Sequence, residues 1–366
     1  LFEDNTCRRL DFLVNRRLWI FETHPQWTVA LVAAEQELPQ ADHRVIVAGT
    51  ATSLEEWEQQ AVSNGLELAP EAFGPGWTVP LLRSQAEADL LAKLRSGSRF
   101  AYGSGGRWRC FPVRELDETN DRALWQGATS GLPLWKGESF EQYDPHGAEA
   151  RPCPDGRALR AKIKKPRPGA GSALAAEVSL VARREAVIRE IDHARLAFRD
   201  VTRATDSRTV RACLVPPKVF LTNKAPYLAF IEGGDRARSA CLGVMNSLVF
   251  DWQARRFVEI NLNFFILEGL IVPDLDEDDF ESIGVSAARL SCVDDRFAQF
   301  AEATGVDCGP LTEEESERLR LEIDARVAKS WQLTTDDLAV LVADFTLDAV
   351  PADYRRRLTE RLIALS

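Results

Sequence analysis

Residues 195–230 read RLAFRDVTRATDSRTVRACLVPPKVFLTNKAPYLAF. The stretch has the pattern of an apolar strand, then a loop with Arg199, Arg203 and Arg208 among Ser, Thr and Asp, then a second apolar strand. Pro216-Pro217 breaks that strand, and Lys218, Asn223 and Lys224 follow closely. Three guanidiniums held between rigid strands suit a polyanion. Arginine presents a planar fork of donors that matches phosphate oxygens and the O6/N7 edge of guanine. The same arginines can instead pair locally with Asp200 and Asp206, and the pattern leaves both readings open.

The 366 residues are 45% hydrophobic, enough for two or three domains with a sizeable core. No run approaches the length of a membrane span, and no signal peptide is visible. Seven cysteines (7, 110, 153, 213, 241, 292, 308) are scattered without a C-x-x-C or a nearby histidine. Zinc needs clustered ligands, so these read as buried or incidental thiols of a reducing, cytoplasmic setting. The net charge of −11 argues against a generic nucleic-acid coat. Its distribution is uneven. Residues 151–211 hold 15 Lys/Arg against 7 Asp/Glu, whereas residues 274–366 hold 10 against 22. A basic middle beside an acidic tail is compatible with nucleic-acid binding on one surface, and equally with solvated faces.

Outward from the arginine loop, the pattern is mixed α/β. Short apolar runs at 18–21, 27–32 and 44–48 predict strands, split at first by His24-Pro25. Residues 54–62 and 84–94 predict helices, with Ser84 capping the second through Glu87. The glycine-rich segment 97–109 lacks the phosphate-loop spacing and reads as a turn or mobile loop. Residues 145–171 read as a long basic loop or a poorly ordered insertion, with Lys162–Lys165 either a last strand before it or part of it. A helix is expected from Ser172 to about Ile191. Residues 236–257 predict one helix, with Arg255 and Arg256 complementing its C-terminal dipole. Residues 261–266 read as a strand or turn. The tail is helical near 287–304, 312–331, 335–345 and 354–365, with capping boxes at Thr312/Glu315 and Thr334/Asp337.

Lys136-Gly137 reads as a tight turn with Lys136 at its tip, followed by Gln142 and Tyr143. Glutamine can form a bidentate contact to adenine N6/N7, while Trp135, Phe140 and Tyr143 also read simply as core aromatics. No nuclease site emerges: Asp155 with Lys162 and Lys164 lacks the acidic-x-Lys spacing. The four histidines (24, 43, 146, 193) are dispersed, and no nucleophile elbow is present.

Five stretches in order resemble the target-recognition region of type IIG-like restriction–modification methyltransferases, which are single-chain adenine-N6 DNA methyltransferases. They are 114–121 (RELDETND), 132–144 (LPLWKGESFEQYD), the arginine loop, 244–252 (VMNSLVFDW) with 261–266 (NLNFFI), and 322–328 (EIDARVA). The resemblance implies the end of a methyltransferase-type sheet over residues 1–115, an α+β target-recognition domain over 116–275, and an acidic helical module over 276–366. It implies double-stranded DNA as partner, with Arg199, Arg203, Arg208 and Lys218 on phosphates or guanine and Lys136, Gln142 and Asn223 as a second rank. The N/D-P-P-Y/F motif that holds a flipped adenine is missing, as is the glycine-rich methyl-donor motif. The chain opens on Leu1, so both motifs, and the S-adenosylmethionine site, are expected upstream. No catalytic residue, cofactor site or metal site is therefore expected here. The alternative is a protein-interaction scaffold whose acidic C-terminal helices dock a partner subunit.

Overall fold

A computed structural model describes residues 4–15, 18–22, 28–40, 43–62, 65–74, 78–153, 178–190 and 192–365. The fold is mixed α/β and divides into two units, Leu1–Ser96 and Gly97–Ser366.

The first unit is built on four strands: β1 (Thr6–Val14), β2 (Thr28–Glu35), β3 (Val45–Ala51) and β4 (Leu66–Leu68), in the order β2-β1-β3-β4. β1 runs antiparallel to β2 and parallel to β3. Leu10 and Leu13 of β1 are buried, as are Val45 and Val47 of β3. Helices α1 (Leu54–Val62) and α2 (Gln85–Leu94) accompany the sheet, and Ser84 accepts from the Glu87 N–H as the cap of α2. Residues 18–21 differ from the expected strand. The Asn15 side chain accepts from the N–H groups of Ile20 and Phe21, which turns the chain instead of extending it. His24, Pro25 and Trp27 lie outside the described residues.

In the second unit the elements run β5 (Ser98–Arg99), β6 (Arg109–Val113), β7 (Leu132–Trp135), β8 (Arg151–Cys153), α3 (Leu180–Glu190), β9 (Arg195–Phe198), β10 (Ala212–Val215), β11 (Phe220–Leu221) and β12 (Tyr227–Glu232). They continue with α4 (Gly234–Asn246), α5 (Leu248–Arg255), α6 (Phe264–Gly269) and β13 (Ile271–Val272). One sheet has the order β10-β9-β12-β6, a second β11-β7-β8, and β13 pairs with β5. Trp125, Trp135, Phe140, Phe220 and Tyr227 belong to one buried cluster. An ion pair lies in this interior: Arg195 Nη1 is 2.7 Å from Glu115 Oε2, and both side chains are fully buried. The same oxygen accepts the Leu221 N–H, so the charge is hydrogen-bonded as well as paired.

The expected basic loop falls largely on residues 154–177. These residues, with Asp155, Lys162 to Lys165 and Ser172, lie outside the described ones, and the helix after them is described as α3. The glycine-rich segment forms two short 3₁₀ turns at Phe100–Tyr102 and Ser104–Gly106. Gly103 has φ +67 and lies against the Trp108 ring, where a Cβ would come within 2.6 Å, so glycine is required there for packing. The single helix expected over 236–257 is two helices. Ser247 breaks it by accepting from Phe250 N–H as the cap of α5. Just before the break, Asn246 accepts from Ala212 N–H at 3.0 Å and donates to Ala212 C=O at 2.9 Å, extending the edge of β10. Residues 264–269 are helical, a correction to the expected strand or turn, while Asn261 keeps a bridge to Val201.

The remaining helices are α7 (Glu277–Ser291), α8 (Ala298–Thr304), α9 (Glu313–Ser330), α10 (Thr335–Ala343) and α11 (Ala352–Leu365). Both expected capping boxes are present. The expected boundary at 275/276 falls between β13 and α7, within the second unit. There α7 packs on α4 so closely that a Cβ on Gly243 would lie 2.5 Å from Ile283. Several acidic residues of this part pair internally, Asp279 with Arg326 at 2.8 Å and Glu322 with Arg361 at 2.7 Å.

Candidate nucleic-acid interface

The arginine loop is a fixed structure. Thr202 Oγ1 donates to Thr209 O at 2.7 Å, and the Arg203 N–H donates to Asp206 Oδ2 at 3.1 Å. From α5, Arg255 donates to the carbonyls of Ala204, Asp206 and Ser207 and pairs with Asp251 at 2.8 Å. Asp251 also accepts from Val210 N–H at 2.9 Å and from Arg208 Nε at 3.3 Å. Arg255 was expected to serve the end of its helix; it also holds the loop.

The seven candidates separate into two groups. Arg199 bonds the carbonyl of Phe140 and pairs with Glu141 at 2.6 Å. Arg208 bonds Asn246 O beside Asp251. Gln142 is buried, and its amide donates to Val210 O at 2.7 Å. Lys136 pairs with Glu138 at 2.6 Å, and Asn223 Oδ1 accepts the Glu118 N–H at 3.0 Å. Those five have polar groups engaged within the chain. Arg203 and Lys218 are exposed. Lys218 occupies a turn with φ +64.

The structure adds cations from outside the seven. Asp200, buried, lies between Arg114 at 3.2 Å and Lys224 at 3.9 Å, whose side chains are 48% and 42% exposed. Arg114 also stacks 4.7 Å over the Phe264 ring. Beside them, the Thr202 N–H donates to Ile260 O at 3.0 Å and the Leu262 N–H to Asp200 O at 2.8 Å. This pairing leaves Val201, Ile260 and Phe265 exposed. Arg114, Lys224 and Phe264 thus meet about Asp200, and the chain segments joined beside them expose Arg203, Ile260 and Phe265, with Glu259 also exposed. Cations supply attraction to a phosphate backbone, and apolar and aromatic side chains supply stacking or wedging surface. Arg114 opens one of the five resembling stretches and Phe264 lies in another, and that was the only signal for them in the sequence.

Among the described residues, no group of His, Cys, Asp and Glu could hold a metal ion, and no helix is long and apolar enough to cross a membrane. All seven cysteines are free thiols, six of them buried and Cys308 half-buried.

No family model and no curated relative matches the chain. Among solved structures it is similar to the Type IIL restriction-modification enzyme MmeI in complex with DNA, at 12% identity over 98% of this chain and 46% of that one, with a TM-score of 0.40. It is also similar to the type IIG restriction endonuclease BpuSI, at 13% identity over 90% of this chain and 45% of that one, with a TM-score of 0.36. The chain thus spans less than half the length of either.

Proposed function

We propose that this chain reads target DNA for a site-specific adenine-N6 DNA methyltransferase of restriction–modification or phage-defence type, with S-adenosylmethionine bound by another part of the protein. One observation carries the reading. Four of the stretches that resemble such enzymes, far apart in sequence, meet around Asp200. Arg114 pairs with Asp200, Asn223 accepts from Glu118, Arg199 bonds Phe140 and Glu141, and Val201 bridges Asn261. The outward side of that junction carries Arg114, Arg203 and Lys224 with exposed Ile260 and Phe265. Backbone contacts from these cations would position the duplex, and the apolar side chains would test base-step deformability.

The test is fluorescence anisotropy of duplex DNA titrated with the chain at two salt concentrations. Counterion release makes affinity fall steeply with salt. Absence of binding even at low salt would favour the scaffold reading. Methyl transfer from labelled S-adenosylmethionine should stay at background for this chain alone.

A further inference from the structure

A cavity of about 170 Å³ opens below the arginine loop, walled by the end of α4, by α9 and by the start of α11. Its polar lining is Gln142, Tyr143, Arg208, Asn246, Arg320, Asp324 and Tyr354. The charges here are arranged unusually. Asp324 is buried, yet neither arginine bonds to it. Its two oxygens accept from the Leu248 N–H at 2.7 Å and from the Tyr354 hydroxyl at 2.6 Å. Burial of this carboxyl raises its pKa, with the two guanidiniums opposing the shift. Asn246 is spent on Ala212.

The guanidiniums therefore keep donors to spare. Among the described residues, Arg320 makes one hydrogen bond, to Gln142 O at 3.2 Å, and it lies 5.2 Å over the Tyr143 ring. Arg208 bonds Asp251 and Asn246 O on one side only. Tyr143, which packs beneath Arg320, has φ +64, a backbone state rare for an aromatic residue.

We propose that this cavity binds a phosphate group, clasped by Arg320 and Arg208, carried either by a small phosphorylated molecule or by a DNA backbone. Two guanidiniums with unused N–H donors and a stacked phenol form the donor set that phosphate oxygens match. The volume admits a phosphate with a small substituent rather than a whole nucleotide. A ligand there would touch the arginine loop through Arg208 and the C-terminal helices through Arg320 and Tyr354, and so link occupancy to the position of the recognition loop.

The experiment is a thermal-shift titration of the chain with inorganic phosphate, against chloride at matched ionic strength. Saturable stabilisation of the wild type is expected. Arg320→Gln should raise the half-saturating concentration roughly tenfold, as expected when one charge-assisted hydrogen bond is removed. Arg356→Gln, at an exposed helix position, should leave it unchanged. Should Arg320→Gln fold poorly, Arg320→Lys keeps the charge without the fork and should still weaken phosphate binding. No saturable effect on the wild type, or equal effects in wild type and Arg320 variants, overturns the proposal. The source is assigned by adding a short duplex. If phosphate displaces DNA from the wild type but not from Arg320→Gln, the ligand is the DNA backbone; if DNA binding ignores both, it is a free phosphorylated molecule. The phosphate readout does not involve DNA, so failure of the DNA reading leaves it intact.

Discussion

Asp251 lies 3.3 Å from Arg208 Nε, across 43 residues of chain. Asp251 has no solvent exposure, and it also takes the Arg255 guanidinium and the Val210 N–H. Arg208 thereby becomes a strut of the loop. Its neighbour Arg203, five residues earlier in the same loop, has its side chain in solvent.

Asp251→Ala should therefore destabilise the second unit by about 3–5 kcal/mol, since it leaves two guanidiniums and a backbone N–H without their buried partner. Urea unfolding of wild type and variant measures this. A loss below about 1 kcal/mol would mean that solvent replaces the carboxylate easily.

Arg203→Ala, Arg114→Ala and Lys224→Ala should each weaken duplex binding with the fold preserved. Removing a cation that holds a phosphate lowers the salt slope by about one unit, uniformly across sequences, whereas removing a base-reading one costs about 1–3 kcal/mol at one base pair. Arg199→Ala should instead lower thermal stability, because it takes the donor from the Phe140 carbonyl and one of two guanidiniums, the other being Arg211, from Glu141. Anisotropy and melting curves on the same four proteins separate the two groups. Unchanged affinity in the first three removes this surface from the DNA site.

Gly243→Ala should cost about 1–3 kcal/mol by overpacking, because its Cβ would meet Ile283 at 2.5 Å. The shift of the urea midpoint reports it. Gly305→Ala is the useful comparison: its Cβ meets nothing, but its φ of +73 strains any other residue.

Glu322 ties α9 to α11 through two bonds to Arg361, at 2.7 and 2.9 Å. That contact, with Arg326 in support, holds its carboxyl below the ordinary glutamate range. A depressed folded-state pKa contributes stability that is fully present above the unfolded value of about 4.3 and is lost as pH falls through the folded value. Glu322→Gln should flatten the stability-versus-pH curve below about pH 5. An unaltered acid slope would assign the acid sensitivity to other carboxylates.

Native-state thiol titration should find at most one reactive cysteine, Cys308, and seven after denaturation. Burial raises the Cys308 thiol, so its reaction should be slow at neutral pH. Cys292 is pushed up to about 12, chiefly by burial, and should stay silent.

Local signals were legible in the sequence. Helix α1 over 54–62, the Ser84 cap and both capping boxes follow from residues within four positions of one another, and short-range hydrogen bonds are what such spacing encodes. The strands around the arginine loop were readable for the same reason, since proline and apolar runs act on their immediate neighbours. What an arginine does once the chain folds is a different kind of question. Arg208, Arg199 and Gln142 look like surface donors until Asp251, Phe140 and Val210 arrive from 43, 59 and 68 residues away. Lys224 beside the arginine loop and Arg114 at the head of a resembling stretch are visible in the sequence, but their meeting at Asp200 is not. The split of residues 236–257 joins a local signal, the Ser247 cap, to a distant one, the Asn246 amide bound to the edge of β10. The sequence by itself determined which segments extend or coil, because that depends on neighbours in the chain. Tertiary structure alone decided which charges are buried and spent and which remain for a ligand, because desolvation and pairing depend on groups that only folding brings within hydrogen-bond distance.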